Sequence, residues 1–235
     1  MIFNIPAGPF ASYDCQLVGA VRETITVKYK NGNTVGTVTT DANGNGTRSI
    51  PLKRGTYTLS GSVSGHTETV NVTKAGTYKA MPAGAKILYW YGRTENGYTE
   101  SKTGQYDSTN TITKNTNNLF VKSTAVAFNY TDPTTGKNYT NKSTATTKAA
   151  FGKHTVTAKQ KLYARFKVDV QNGNSWKLAV GSAGSLSGTK AQAVAKKSVA
   201  LTAASNSEAA VSVYAADEAG VYKGIAMTLY ELYIV

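Results

Sequence analysis

A chain of 235 residues is long enough for one large or two modest domains, each able to bury a core. Only 17% of the residues are charged, yet the formal net charge is +13; 40% are apolar, with 15 Tyr, 22 Gly and a single Cys. This composition excludes a disordered chain and a disulfide-stapled one. It also excludes a helical membrane protein, since no apolar run approaches the roughly 18 residues a span needs. With 13 acids and two His, little material is left for a metal site or an acid–base enzyme.

Residues 1–11 read as an apolar arm. They lack the basic leader and long apolar stretch of a secretory signal, so synthesis in a cytoplasm is expected. Residues 12–82 alternate short strands with turn signals. Residues 24–30 carry a clean period of two, with Ile25, Val27 and Tyr29 on one face and Thr26 and Lys28 on the other. Asn31-Gly32-Asn33 is a hairpin turn, because Asn and Gly tolerate positive φ. Strands follow over residues 34–40, 47–52, 56–63 and 67–73, and a last one runs through Tyr78 and Ala80. Six or seven strands at this spacing predict a small sandwich.

The boundary falls at Met81-Pro82-Ala83-Gly84-Ala85, where Pro lacks a ladder donor and small residues permit a turn. Residues 87–91, Ile-Leu-Tyr-Trp-Tyr, read as a strand buried on both faces. Residues 94–118 are polar and read as long loops with one short strand near 109–113. Residues 119–130 are a further strand, 139–150 a weaker one. Residues 161–170 alternate most clearly, with Leu162, Ala164, Phe166, Val168 and Val170 inward and Tyr163, Arg165, Lys167 and Asp169 outward. The turn Gln171-Asn-Gly-Asn174 leads to a strand through Trp176, Leu178 and Val180. The Gly/Ser run 181–188 reads as a flexible loop, and 191–204 fits a strand or an Ala-rich helix equally. Strands over 209–214 and 225–235 close the chain. The predicted fold is all-β: a small Ig-like sandwich over 12–82, then a larger jelly-roll or lectin-like sandwich over 86–235.

The residues Val38-Thr-Thr-Asp-Ala-Asn-Gly44, Leu52-Lys-Arg-Gly-Thr-Tyr-Thr-Leu59, Gly65 and Val70-Asn-Val72 resemble the transthyretin-like Ig sandwiches. That group includes the carboxypeptidase-regulatory-like, PEGA and Cna B-type modules of bacterial and phage surface proteins. The resemblance spans residues 22–80 and implies a spacer or docking module. Cna B-type modules often carry a Lys–Asn isopeptide with a Glu shortly after the motif Tyr; Gly61 stands at the matching position, so no isopeptide is expected.

No nucleophile set emerges, because no Gly-x-Ser-x-Gly elbow is present. His66 and His154 each read as standing alone, without a Cys or acidic partner, so His66 is expected to be a solvated loop residue. Asp41-Ala-Asn-Gly-Asn-Gly46 opens like a Ca²⁺ loop, but Leu52 occupies the position of the closing acid, and a plain Asx turn is expected. Asp107, Asp132 and Asp169 show no pairing that would mark a glycosidase, and Asp217-Glu218 reads as a solvated loop. No catalytic residue, metal site or cofactor is predicted.

The charge is skewed. Eight Lys and Arg against four acids leave +4 before Ala85; 18 against nine leave +9 beyond it. Residues 133–207 hold a dozen Lys and Arg and one acid, Asp169. Lys159, Lys161, Arg165 and Lys167 are the proposed basic docking face, suited to an acidic partner or else simply solvated. Nucleic acid is disfavoured, because Arg is scarce and no recognition motif appears. Of the aromatics clustered from Tyr89 to Tyr139, Tyr98 and Tyr106 lie in polar loops and are the candidate glycan contacts.

Taken whole, the chain resembles a virion structural protein of a tailed phage of Gram-positive bacteria. The resemblance implies a non-enzymatic capsid decoration or tail appendage, made in the bacterial cytoplasm and carried on the virion. Its expected partners are other virion proteins, further copies of itself and a host cell-wall polysaccharide. The alternative is a carbohydrate-binding or adhesive module of a bacterial surface.

Overall fold

The computed structural model describes residues 11–105, 108–126, 128–170, 174–202, 204–217 and 223–235. Apart from Ala11, the arm lies outside them. The protein is all-β, and among the described residues no helix is long and apolar enough to cross a membrane. The chain divides into two compact units, one of residues 1–85 with 90–93, the other of residues 86–89 with 94–235.

The first unit holds β1 (Ser12–Val18), β2 (Thr24–Tyr29), β3 (Thr34–Thr39), β4 (Ile50–Lys53), β5 (Gly55–Gly61), β6 (Thr67–Val72) and β7 (Gly76–Lys79). They form two sheets, β4-β1-β7 and β3-β2-β5-β6. Among the described strand pairs of this unit only β1–β7 is parallel. Seven strands split three and four is the count of an Ig-like sandwich. The alternation in β2 works as the sequence implies for Ile25 and Val27, both fully buried, whereas Tyr29 at the strand end is 45% exposed. Leu17, Leu52, Leu59 and Val72 complete the core with them. The sequence Lys-x-Gly-Thr-Tyr occurs twice, and each time the Tyr hydroxyl donates to the Lys carbonyl four residues back: Tyr57 to Lys53 at 2.9 Å, Tyr78 to Lys74 at 2.8 Å. Each pins the entry of its strand in the manner of a tyrosine corner.

At one end of this unit Glu23 is fully buried. Its carboxylate accepts from the N–H groups of Ala20 (2.8 Å), Ser64 (2.8 Å) and Val63 (3.2 Å) and from the Ser64 hydroxyl (2.6 Å). A buried charge is tolerable only when so satisfied. Gly61 makes room for it, since a Cβ there would lie 2.0 Å from Glu23 Oε1. Trp90–Arg93 belongs to the same unit. Trp90 and Arg93 exchange backbone hydrogen bonds of 2.9 Å, Tyr91 takes φ 40°, and Arg93 Nη1 donates to the Asn43 carbonyl and to Asn45 Oδ1, each at 2.9 Å. The apolar run therefore ends in a tight turn rather than continuing as strand through Tyr91.

The second unit holds β8 (Lys86–Trp90, less its last residue), β9 (Thr99–Gly104), β10 (Thr109–Lys114), β11 (Leu119–Ala125), β12 (Phe128–Thr131), β13 (Asn138–Asn141) and β14 (Ser143–Val156). It continues with β15 (Lys161–Val170), β16 (Ser175–Val180), β17 (Gly184–Gly188), β18 (Gln192–Ala200), β19 (Ala204–Asp217) and β20 (Lys223–Ile234). A six-stranded sheet of order β10-β11-β20-β15-β18, with β8 also on β20, faces a five-stranded sheet of order β17-β16-β19-β14-β9. The sandwich core lies between them. Phe166 of β15 meets Trp176 of β16 with ring centroids 5.0 Å apart. A polar seam crosses the core: the hydroxyls of Ser123 and Thr147 are 2.6 Å apart, and Asn110 Oδ1 is within 3.0 Å of both.

Several elements differ from the sequence reading. Residues 94–118 contain β9 as well as β10. Residues 181–188 are not a loop throughout: β17 pairs with β16, and Gly188 lies so close to the Trp176 ring that a Cβ would sit 2.8 Å from it. Residues 119–130 are two strands rather than one. The ambiguous stretch 191–204 contains strand β18. Asp217 is not solvated but ends β19 at 1% exposure; Glu218 lies outside the described residues.

Gly61→Ala should destabilise the protein by about 3 kcal/mol, because the methyl group and the Glu23 carboxylate cannot share the space. Urea unfolding of the full chain checks this; a change within 0.5 kcal/mol, roughly the range of a surface substitution, would show that the cage is not rigid.

Candidate functional site

Tyr98 immediately precedes β9 and leans into the sandwich, its ring 5.8 Å from that of Phe151 at 55°. It borders an open depression of about 390 Å³ whose rim also includes Asn96, Gly152, Lys153, His154 and Glu208. A bulge in β14 builds this place. The register with β19 shifts between Ala150 and Lys153, and Gly152 takes φ 88°. A bulge bends its strand and re-aims side chains, and only Gly adopts such a φ without strain. Lys153 then stands opposite Glu208, and Glu208 is ion-paired with Lys148. His154 is buried and its Nε2–H donates to the Phe151 carbonyl at 3.0 Å, which fixes the tautomer and ties the bulge. Burial pushes the Tyr98 hydroxyl up from the ordinary phenol pKa, and the Glu100 carboxylate adds to the shift. An aromatic ring, an amide, an ammonium and a carboxylate thus converge on a concavity of ligand-pocket size. Tyr106, the other candidate aromatic, lies outside the described residues.

The proposed basic face maps to the outside of the six-stranded sheet. Lys161, Arg165 and Lys167 alternate along one face of β15, and Lys159 is exposed in the turn before it. Acids are interleaved with them, one close in sequence and one brought in by strand pairing. Lys167 pairs with Asp169 at 2.8 Å. Arg165 stands opposite Glu231 on one side and Lys196 on the other, and Lys196 pairs with Glu231 at 3.3 Å. Desolvation would lower the Lys196 pKa, but a hydrogen bond with Tyr233 and the Glu231 charge outweigh it and hold the ammonium above its usual value. Tyr163 and Tyr233 stack across the same two strands at 5.2 Å and 10°. The face is a mixed-charge ladder rather than a uniform basic strip.

Other motifs take structural roles. Asp41 Oδ1 accepts from the N–H groups of Asn43 (2.8 Å) and Asn45 (2.9 Å), the Asx turn the sequence implies. His66 is not simply solvated: its Nε2 lies 3.1 Å from Glu68 Oε2 and its ring meets Trp90 edge-on at 5.5 Å. Among the described residues no group of three or more His, Cys, Asp or Glu is placed to hold a metal ion.

No family model matches the chain, and no curated protein matches it in sequence. Among solved structures it is similar to TmCBM61, a structure determined in complex with β-1,4-galactotriose, at 7% identity and a TM-score of 0.29. That match covers 58% of this chain and 87% of the other.

Glu100→Gln should move the Tyr98 titration midpoint down toward, but not to, the ordinary phenol value, since burial is the larger cause. Side-chain NMR of labelled tyrosine reads this; an unmoved midpoint would show that the Glu100 charge does not reach the ring.

Proposed function

We propose that this is a non-catalytic surface protein that contacts polysaccharide, with the Tyr98 depression as a saccharide site. The observation that carries the reading is the convergence of Tyr98, Asn96, Lys153 and Glu208 on one open concavity. A tyrosine ring offers a flat apolar face to the C–H side of a pyranose, while amide, ammonium and carboxylate groups exchange hydrogen bonds with its hydroxyls. Both histidines are engaged in structural contacts, which supports binding rather than acid–base work. The sequence resemblance to phage and bacterial surface modules supports a setting on a tailed-phage virion, with a bacterial cell surface as the alternative. Either setting uses the first unit as spacer or dock and the second as the displayed sandwich.

Isothermal titration of the full chain with β-1,4-linked glucohexaose and galactohexaose tests the site. Asn96→Ala and Lys153→Ala, both outside the core, should each weaken binding several-fold, and Tyr98→Ala by about tenfold or more. Tyr98→Phe, which keeps the ring, should lose less. Equal affinities across the four variants and the wild type would remove the depression from the account.

A further inference from the structure

The hairpin of β12 and β13 forms a two-stranded sheet of its own. Tyr130 and Tyr139 are directly opposite in its register, so both rings stand on one face. They are 46% and 42% exposed, among the few large apolar side chains that the described surface displays. A short isolated hairpin gains little stability in water, and rings this exposed bury little area to offset that. Tyrosine is instead the side chain that supplies broad, stiff contact area at small entropic cost to a partner.

What surrounds the rings indicates the partner. Asn129, Thr131 and Asn138 complete a shallow depression of about 320 Å³ with the two tyrosines. The Thr131 hydroxyl donates to Asn138 Oδ1 at 2.7 Å, which orients that amide. Lys137 Nζ lies 5.5 Å from the centre of the Tyr139 ring. The ring face is two phenols and the Lys137 ammonium, with neither aliphatic side chain nor acid among it, while Thr131 and Asn138, one position along their strands, stand on the other face. That mixture suits a ligand with apolar C–H faces edged by hydroxyls. The turn is built to hold its shape: Asp132 Oδ1 accepts from Thr134 N–H and Oδ2 from the Thr135 hydroxyl, each at 2.8 Å, and the Gly136 N–H donates to the Asp132 carbonyl at 2.8 Å. The Thr135 hydroxyl and the Thr134 N–H hold the Asp132 carboxyl below the usual carboxylate range. A pre-shaped surface loses less entropy on binding.

We propose that the Tyr130–Tyr139 face is a second polysaccharide contact, taking the C–H faces of β-linked pyranose units. The proposal rests on the polysaccharide-contacting reading of the protein but uses residues separate from the Tyr98 depression. Two contacts on one chain raise the avidity for a long glycan beyond either alone.

Titration of the full chain with the same two hexaoses separates the two claims. The wild type should bind two molecules per chain. Tyr130→Ala/Tyr139→Ala should retain one site and lose about tenfold or more at the other. Tyr130→Phe/Tyr139→Phe, which keeps the rings on a hairpin of the same shape, should retain both. A single wild-type site that Tyr98→Ala removes and the hairpin variants leave intact overturns the platform and keeps the depression. A single site with the opposite response keeps the platform and overturns the depression. Two sites unaffected by Tyr130→Ala/Tyr139→Ala overturn the platform, and a wild type that binds neither hexaose overturns both.

Discussion

The second unit depends on one constraint: two sheet faces about 10 Å apart must fill the space between them without voids. The chain meets it by setting small against large. The inner positions of β14 and β19 are largely Ala and Val, with Ala145, Ala149, Ala209, Val211, Val213 and Ala215 all buried. Opposite them stand Leu119, Phe166, Met227 and Leu229. Each large side chain so buried contributes about 1.5–3 kcal/mol. The same constraint makes the Ser123–Thr147–Asn110 seam costly to disturb, because a buried hydroxyl that loses its partner is penalised by its full desolvation.

A core closed in this way pushes function to the places where the ladder breaks. The β14 bulge at Gly152 opens the depression beside Tyr98, and the β12–β13 hairpin presents two tyrosines away from the main sheets. The first sets a ring beside an amide, an ammonium and a carboxylate, and the second sets two rings beside one ammonium. The ladder around β15, by contrast, pairs Lys167 with Asp169 and Lys196 of β18 with Glu231 of β20. The formal charge of +13 is therefore no measure of a single docking patch. Asp169 lies two residues from Lys167, whereas Glu231 and Lys196 are far apart in sequence and meet only because β18 and β20 flank β15.

What could be read from the sequence follows the same physics. Strands with one buried and one solvated face show their period, and β2 and β15 were legible for that reason. Asn31-Gly32 and Asp41 announced their turns through side chains that bond their own backbone. β9 has no buried face at all, six exposed residues in a row, and so no period to find. β14 hides its period because Thr and Ala occupy both faces. β17 is a strand by virtue of β16, and its Gly188 is the residue that clears the Trp176 ring. Of the candidate site, Tyr98 was legible as an aromatic in a polar stretch. Its companions were not, since Lys153 and Glu208 meet only through the register of β14 with β19. Tyr130 and Tyr139 belonged to the same aromatic cluster in sequence, but their pairing across one hairpin is a fact of register.

The central claim is that polysaccharide is held by aromatic sites on the outside of a rigid sandwich. Amide and side-chain NMR shift mapping of the full chain, titrated with β-1,4-linked hexaose, tests it most directly. The account predicts shifts confined to Asn96, Tyr98, Lys153 and Glu208 and to the hairpin residues from Asn129 to Tyr139, with Phe166, Trp176 and the β15 ladder unmoved. Shifts centred on Lys161, Arg165 and Lys167, or none at saturating hexaose, would contradict it.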